Sequence, residues 1–204
     1  MANMIMESIK GPALIPVDDW FLSRRKIFFY GEVNEESTND LLKKLLILEA
    51  QDDTKPITLF INTGGGEVGS GLAIYDILRT MHSPVTAVVT GLAASMGSIL
   101  LMGCAKERRL MLVNSKVMIH DASWSSRDMG GKKPHEIQTA LDQLRGVNER
   151  LVSILAEGCG KTVEEVSEYT KTDSYFNAHE AIEFGLASEI IDSDRLNSLM
   201  KEGA

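Results

Sequence analysis

Between residues 26 and 103 short apolar runs alternate with longer segments of helical periodicity. This rhythm constrains the fold more than any other feature of the chain. KIFFYGEV (26–33) is a β-prone run that breaks at Gly31, and ITLFIN (57–62) and PVTAVVT (84–90) are short, wholly apolar or β-branched runs. NEESTNDLLKKLLILEAQ (34–51) carries Leu and Ile on one face and predicts a helix capped near Ser37 or Thr38. LAIYDILRTM (72–81) and residues 96–103 predict two more helices. DDTKP (52–56) is a turn, and TGGGEVGSG (63–71) a glycine-rich loop. Parallel strands need a long crossover, which an intervening helix supplies. The alternation therefore predicts an α/β fold of repeated βαβ units, with a parallel sheet and helices outside it.

The rest of the chain is less regular. Strands are expected over 108–113 and 116–120, and a polar connection over 123–134. A long amphipathic helix follows over 135–158, then short helices over 162–171 and 178–184, a strand over 187–191 and a polar tail. No linker or low-complexity stretch interrupts the 204 residues, and a 44% hydrophobic content fits one domain, 1–204, with a sizeable core. The net charge of −8 argues against nucleic-acid binding, which needs a basic face. No stretch approaches the roughly 18 apolar residues of a membrane span. MANMIMESIKGP has neither the basic start nor the apolar core of a signal peptide. The expected location is the cytoplasm, with Cys104 and Cys159 as reduced, buried thiols.

Three side chains carry candidate chemistry. Ser95 lies in GLAASMG, where small neighbours permit a sharp strand-to-helix turn and close approach of a substrate. Serine is also a leading N-cap residue, so on its own Ser95 reads first as a cap or packing residue. A nucleophilic serine needs a base. His120 ends the apolar strand KVMIH, where ligand sites of α/β sheets lie, whereas His82, His135 and His179 fall at helix ends and are expected at the surface. A carboxylate must then orient the base, and several aspartates qualify; Asp173, in KTDSYFNAHEA, is one, with a turn or cap as its plain alternative. INTGGGEV allows close backbone approach at positive φ but lacks the Lys-Ser/Thr of a phosphate loop.

Taken together, FFYGEV, LLILEAQ, INTGGG…GLAIYD, GLAASMG, NSKVMIH and D…FNAHEAIEFGL resemble the proteolytic subunits of the Clp protease in order and spacing, from about residue 17 to 191. The resemblance implies a crotonase-like subunit with a protruding strand–helix handle, here 121–158. It implies a homo-oligomer of two stacked heptameric rings, a tetradecamer enclosing a proteolytic chamber. It further implies a serine endopeptidase with Ser95 as nucleophile, His120 as base and Asp173 as orienting acid. The backbone N–H groups of Gly66 and Met96 form the implied oxyanion hole. No cofactor or metal is bound by such a subunit. ATP is used by a partner, a Clp-type AAA+ unfoldase that delivers unfolded polypeptides. Neither nucleic acid nor membrane is an expected partner.

The chain departs from that pattern at several positions. Gly64 stands for the usual proline before the glycine pair, and Asp121-Ala122 for Gln-Pro after the histidine. The segment after His120 is a few residues longer, Thr172 replaces an arginine that contacts the opposite ring, and Ser188 replaces an aspartate. At the ATPase-docking surface Phe60, Leu110 and Ile191 keep an apolar character, while Thr58, Thr80 and Thr90 replace bulkier groups, which predicts altered docking. Residues 1–17 match the pattern poorly. These departures motivate an alternative, a low-activity structural or regulatory subunit of mixed rings with a paralogue. An acyl-CoA hydratase of the same broad fold is disfavoured, because no glutamate pair accompanies the glycine-rich turns.

Overall fold

The computed structural model of the protein describes residues 3–8, 11–124 and 131–202. It is a mixed α/β structure. An N-terminal hairpin, β1 (Asn3–Ser8) and β2 (Gly11–Pro16), leads through the short helix α1 (Val17–Leu22) into the main sheet. There β3 (Lys26–Tyr30), α2 (Glu35–Gln51), β4 (Ile57–Thr63), α3 (Val68–Thr80), β5 (Val85–Ala94) and α4 (Met96–Met102) repeat the βαβ unit. The strands β6 (Arg109–Met111) and β9 (Glu189–Ile190) complete the order β3-β4-β5-β6-β9, every neighbouring pair parallel. β7 (Lys116–Ile119) pairs in parallel with the far end of β5, and β8 (Ser174–Asn177) runs antiparallel to β7. α5 (Pro134–Cys159), α6 (Val163–Thr170), α7 (Ala178–Phe184) and α8 (Ser193–Lys201) supply the remaining helices.

The βαβ expectation for 26–103 holds, and local chemistry moves its boundaries. Asn34, rather than Ser37 or Thr38, caps α2: its Oδ1 accepts from Ser37 N–H, and Ser37 Oγ accepts from Asn34 N–H in return. Leu41, Leu45 and Leu48 then lie on one face and are buried in the main core. α3 starts at Val68, so the glycine-rich loop is shorter than its composition suggests. β5 runs through the small residues to Ala94 because Leu92, Ala93 and Ala94 pair with β7.

Other expectations fail. β8 stands between the two short helices where no strand is expected, and the β1–β2 hairpin lies in the poorly matching N-terminal segment, for which no element is expected. The expected 108–113 strand shortens to Arg109–Met111, because Arg108 closes the 3-10 turn Lys106–Arg108. The handle region supplies a helix but, among the described residues, no strand; residues 125–130 of the polar connection lie outside the described residues. α5 buries its C-terminal half from Leu151 onward and leaves most of its first half exposed. Cys104 and Cys159 are free and buried as expected, and burial pushes their thiols up to about 12 and about 11.

The polar tail is in fact α8, started by Asp192, whose carboxylate accepts from Arg195 N–H. Leu196, Leu199 and Met200, spaced for one helical face, close a second apolar cluster of Phe60, Val88, Leu110 and Ile191. Beside it the buried Lys26 Nζ donates to Thr58 Oγ1 (3.1 Å) and to the carbonyl of Glu202 (2.8 Å). Nine residues with three apolar ones are too few to show this face from sequence alone. Leu199 is fully buried, so Leu199→Ala is expected to cost about 2–5 kcal/mol, read as a lower urea midpoint at unchanged slope. An unchanged midpoint would mean that α8 does not pack on the sheet.

Candidate active site

β5 ends at Ala94 and α4 begins at Met96, so the chain reverses within one residue, Ser95. Its backbone is at φ 53° and ψ −121°, a region that non-glycine residues rarely adopt and that costs about 1–3 kcal/mol. Ladder contacts hold it there. Ser95 N–H donates to Met118 O at 2.9 Å, extending the β5–β7 pairing by one residue. Ser98 N–H and Oγ both donate to Ser95 O, at 2.9 and 2.7 Å. Ser95 occupies the N-cap position of α4, yet its side chain makes no capping bond. The hydroxyl is turned to His120 instead, which removes the plain N-cap alternative.

His120 follows the last residue of β7, and Asp173 precedes the first residue of β8. The antiparallel register pairs Ile119 with Ser174, so His120 and Asp173 come face to face where the ladder ends. His120 Nε2 lies 2.9 Å from Ser95 Oγ, and His120 Nδ1 lies 2.9 Å from Asp173 Oδ1. An ionised carboxylate only accepts, so the proton shared with Asp173 belongs to Nδ1 and Nε2 is left to accept the Ser95 hydroxyl proton. The imidazole is 28% exposed and the Asp173 side chain 62% exposed in the single chain. The other three histidines lie apart and are exposed, as expected.

The glycine-rich loop stands over the same turn. A Cβ on Gly65 would come within 2.7 Å of Ser95 Cβ and 3.0 Å of Met96 N. A Cβ on Gly66, which is at φ 150°, would fall 2.1 Å from Val33 O. Only glycine fits at either place. Gly65 N–H donates to Thr63 Oγ1, and Val33 brackets Gly66 by bonds to Gly65 O and from Glu67 N–H. The N–H groups of Gly66 and of Met96, the first residue of α4, donate to no other group among the described residues, consistent with the free amides of a helix start.

The structure thus brings together Ser95, His120, Asp173, Gly66 and Met96, the five residues picked from sequence. Missed were Gly65, whose bare Cα lets the loop reach Ser95, and the β8 ladder that delivers Asp173. The triplet contained the first signal; a four-residue strand between two helices left none for the second. No group of three or more metal-ligating side chains occurs among the described residues, and no described helix is long and apolar enough to cross a membrane. Glycine at position 95 adopts the observed dihedrals freely, so Ser95→Gly is expected to be more stable than Ser95→Ala by about 1 kcal/mol in chemical denaturation. The reverse order would contradict a strained joint.

Comparison with known proteins agrees with this geometry. The family model described as Clp protease matches residues 12–194. An ATP-dependent Clp protease proteolytic subunit from Streptococcus pneumoniae (strain P1031) is 34% identical over 194 residues, covering 95% of this chain and 98% of the relative. The matched span contains the whole main sheet, the Ser95 turn and both strands that carry His120 and Asp173 to it. On that span and that identity, this chain belongs to the Clp protease family.

Proposed function

We propose that the chain is a serine endopeptidase that cleaves unfolded polypeptides to short peptides, as a subunit of a self-compartmentalising, ATP-dependent protease. The observation that carries this is the pair of 2.9 Å contacts of His120, one to Ser95 Oγ and one to Asp173 Oδ1. As Ser95 Oγ attacks the scissile carbonyl carbon, His120 Nε2 takes its proton, and Asp173 stabilises the imidazolium. The carbonyl oxygen becomes an oxyanion and accepts from the Gly66 and Met96 N–H groups, each such donor being worth about 100- to 1000-fold in rate. The tetrahedral species collapses as His120 returns the proton to the leaving amine, giving an acyl-serine. Water, deprotonated by His120, then releases the acid and restores the serine.

In the proposed assembly, crotonase-like subunits form two stacked heptameric rings in the cytoplasm, and a partner AAA+ unfoldase spends ATP to feed them. The exposed first half of α5, with Ile137 uncovered, supports a role as the interlocking handle. Altered unfoldase docking is supported by α8: Phe60, Leu110 and Ile191 lie beneath it rather than in an open pocket. Thr58 is tied to Lys26, and the Thr90 hydroxyl to Tyr30 OH.

A second reading, a low-activity structural or regulatory subunit of mixed rings, draws on the exposure of Asp173 and on Thr172 beside it. A carboxylate that faces water holds an imidazole loosely until a neighbouring subunit covers it. Treatment with a fluorophosphonate probe and mass spectrometry is expected to show labelling at Ser95 that is lost in His120→Ala. Asp173→Asn is expected to slow peptide cleavage by at least about 100-fold, toward the roughly 10⁴-fold typical of such sites. Labelling that arises only when a paralogue is added would favour the second reading; none under either condition would refute the first.

A further inference from the structure

Thr63 is the last residue of β4 and pairs with Ala93 of β5, two residues before Ser95. It is a polar side chain in a buried place, 2% exposed. Its two branches go different ways. The hydroxyl Oγ1 accepts from Gly65 N–H at 3.0 Å, a turn of side chain onto the backbone two residues on. The methyl lies against α4, since a Cβ on Gly97 would fall 2.6 Å from Thr63 Cγ2. One residue thus touches both the loop that holds Gly66 and the helix that begins at Met96.

The loop has few other restraints on its direction. Three consecutive glycines carry little conformational preference of their own. A Cβ on Gly64 would meet nothing within 4 Å, so packing does not fix that residue either. Two bonds set the peptide planes on either side of Gly65. Thr63 Oγ1 holds its N–H, and Val33 N–H, at 2.8 Å, holds its carbonyl. In a trans peptide the N–H points opposite to the carbonyl, so the Val33 bond aims Gly66 N–H away from Val33. The Thr63 bond anchors the plane before it. With both planes held, Gly65 stays at φ 93° and Gly66 N–H keeps its direction.

We propose that Thr63 is a positioning residue for the peptidase reaction: its hydroxyl, through Gly65, holds the Gly66 N–H in line to receive the oxyanion. The proposal rests on the peptidase reading given above.

The hydroxyl and the methyl can be removed separately. Valine keeps the branched shape and the methyl on Gly97 but leaves the buried Gly65 N–H without its acceptor. Serine keeps the acceptor and drops the methyl. Peptide cleavage is measured per active site, the sites being counted by fluorophosphonate labelling taken to completion. Thr63→Val is expected to lower kcat roughly 10- to 100-fold, short of the loss of a whole donor, with KM nearly unchanged, because the oxyanion is absent from the ground state. Thr63→Ser is expected to stay close to wild type. A residue that merely packs gives the opposite order, since serine removes the contact and valine keeps it. Thr63→Ala is compared with Thr63→Ser, a pair that differs only by the hydroxyl, so a valine variant that does not fold leaves the question decidable. A peptide boronate, whose tetrahedral adduct with Ser95 presents an oxygen to the same donors, is expected to bind Thr63→Val more weakly by the same factor. If the wild-type protein neither cleaves nor takes the label, the peptidase reading fails and crystal structures of wild type and Thr63→Val decide the loop. Gly66 N–H should face the Ser95 turn in the first and turn from it in the second. A wild-type kcat in Thr63→Val, or a Gly66 N–H that has not moved, would overturn the proposal.

Discussion

Ser95 is held at φ 53° and ψ −121°, and the structure around it is arranged to sustain that one strained residue. A serine would relax out of this conformation if either flank were free. On one side β5 cannot shift, because it is hydrogen-bonded to β4 along one edge and to β6 and then β7 along the other. On the other side α4 is fixed by burial: every residue from Met96 to Met102 is buried. The bend between two immobile elements falls on one residue, whose hydroxyl is thereby pushed out of the backbone path toward His120. The same reversal leaves the first amide of α4 free beside the loop amide of Gly66. The exposed hydroxyl and the free Met96 amide are thus two consequences of a single backbone constraint, while the Gly66 loop is held separately by its bonds to Val33.

The placement of base and acid depends on a different device. A purely parallel sheet would end at β7 with His120 pointing into open space. The antiparallel β8 adds four residues that return the chain along β7 and set Asp173 opposite His120. The carboxylate is largely exposed, so its bond to His120 contributes little to stability. It matters for geometry: it selects the tautomer in which Nε2 is an acceptor. Bonds further back reinforce the alignment, including Asp121 N–H to Thr170 O and Ser174 Oγ to Tyr169 O.

Much of this was legible in the sequence, and the reasons for the rest are physical. The βαβ rhythm of 26–103 could be read because each element is long enough to show its period, as with Leu41, Leu45 and Leu48 on α2. Ser95 alone was ambiguous, since a cap and a nucleophile want the same small polar residue in the same turn. Only the spacing of His120 and Asp173 around it, carried by the family resemblance, separated the two. β8 and α8 stayed hidden. Four residues of SYFN and nine of a polar helix owe their structure to contacts made far along the chain, not to local periodicity. Gly65 was visible but undervalued, because a glycine triplet does not say which member another backbone approaches.

The central claim is that the strained turn presents Ser95 and the Met96 amide, and the glycine-rich loop the Gly66 amide, to the same carbonyl group. It is tested most directly by a crystal structure of the protein after reaction with a fluorophosphonate. The phosphorus should be bonded to Ser95 Oγ, with its non-bridging oxygen about 3 Å from both the Gly66 and Met96 nitrogens. A phosphoryl oxygen directed to solvent, with either amide unengaged or Ser95 relaxed from positive φ, would contradict the account.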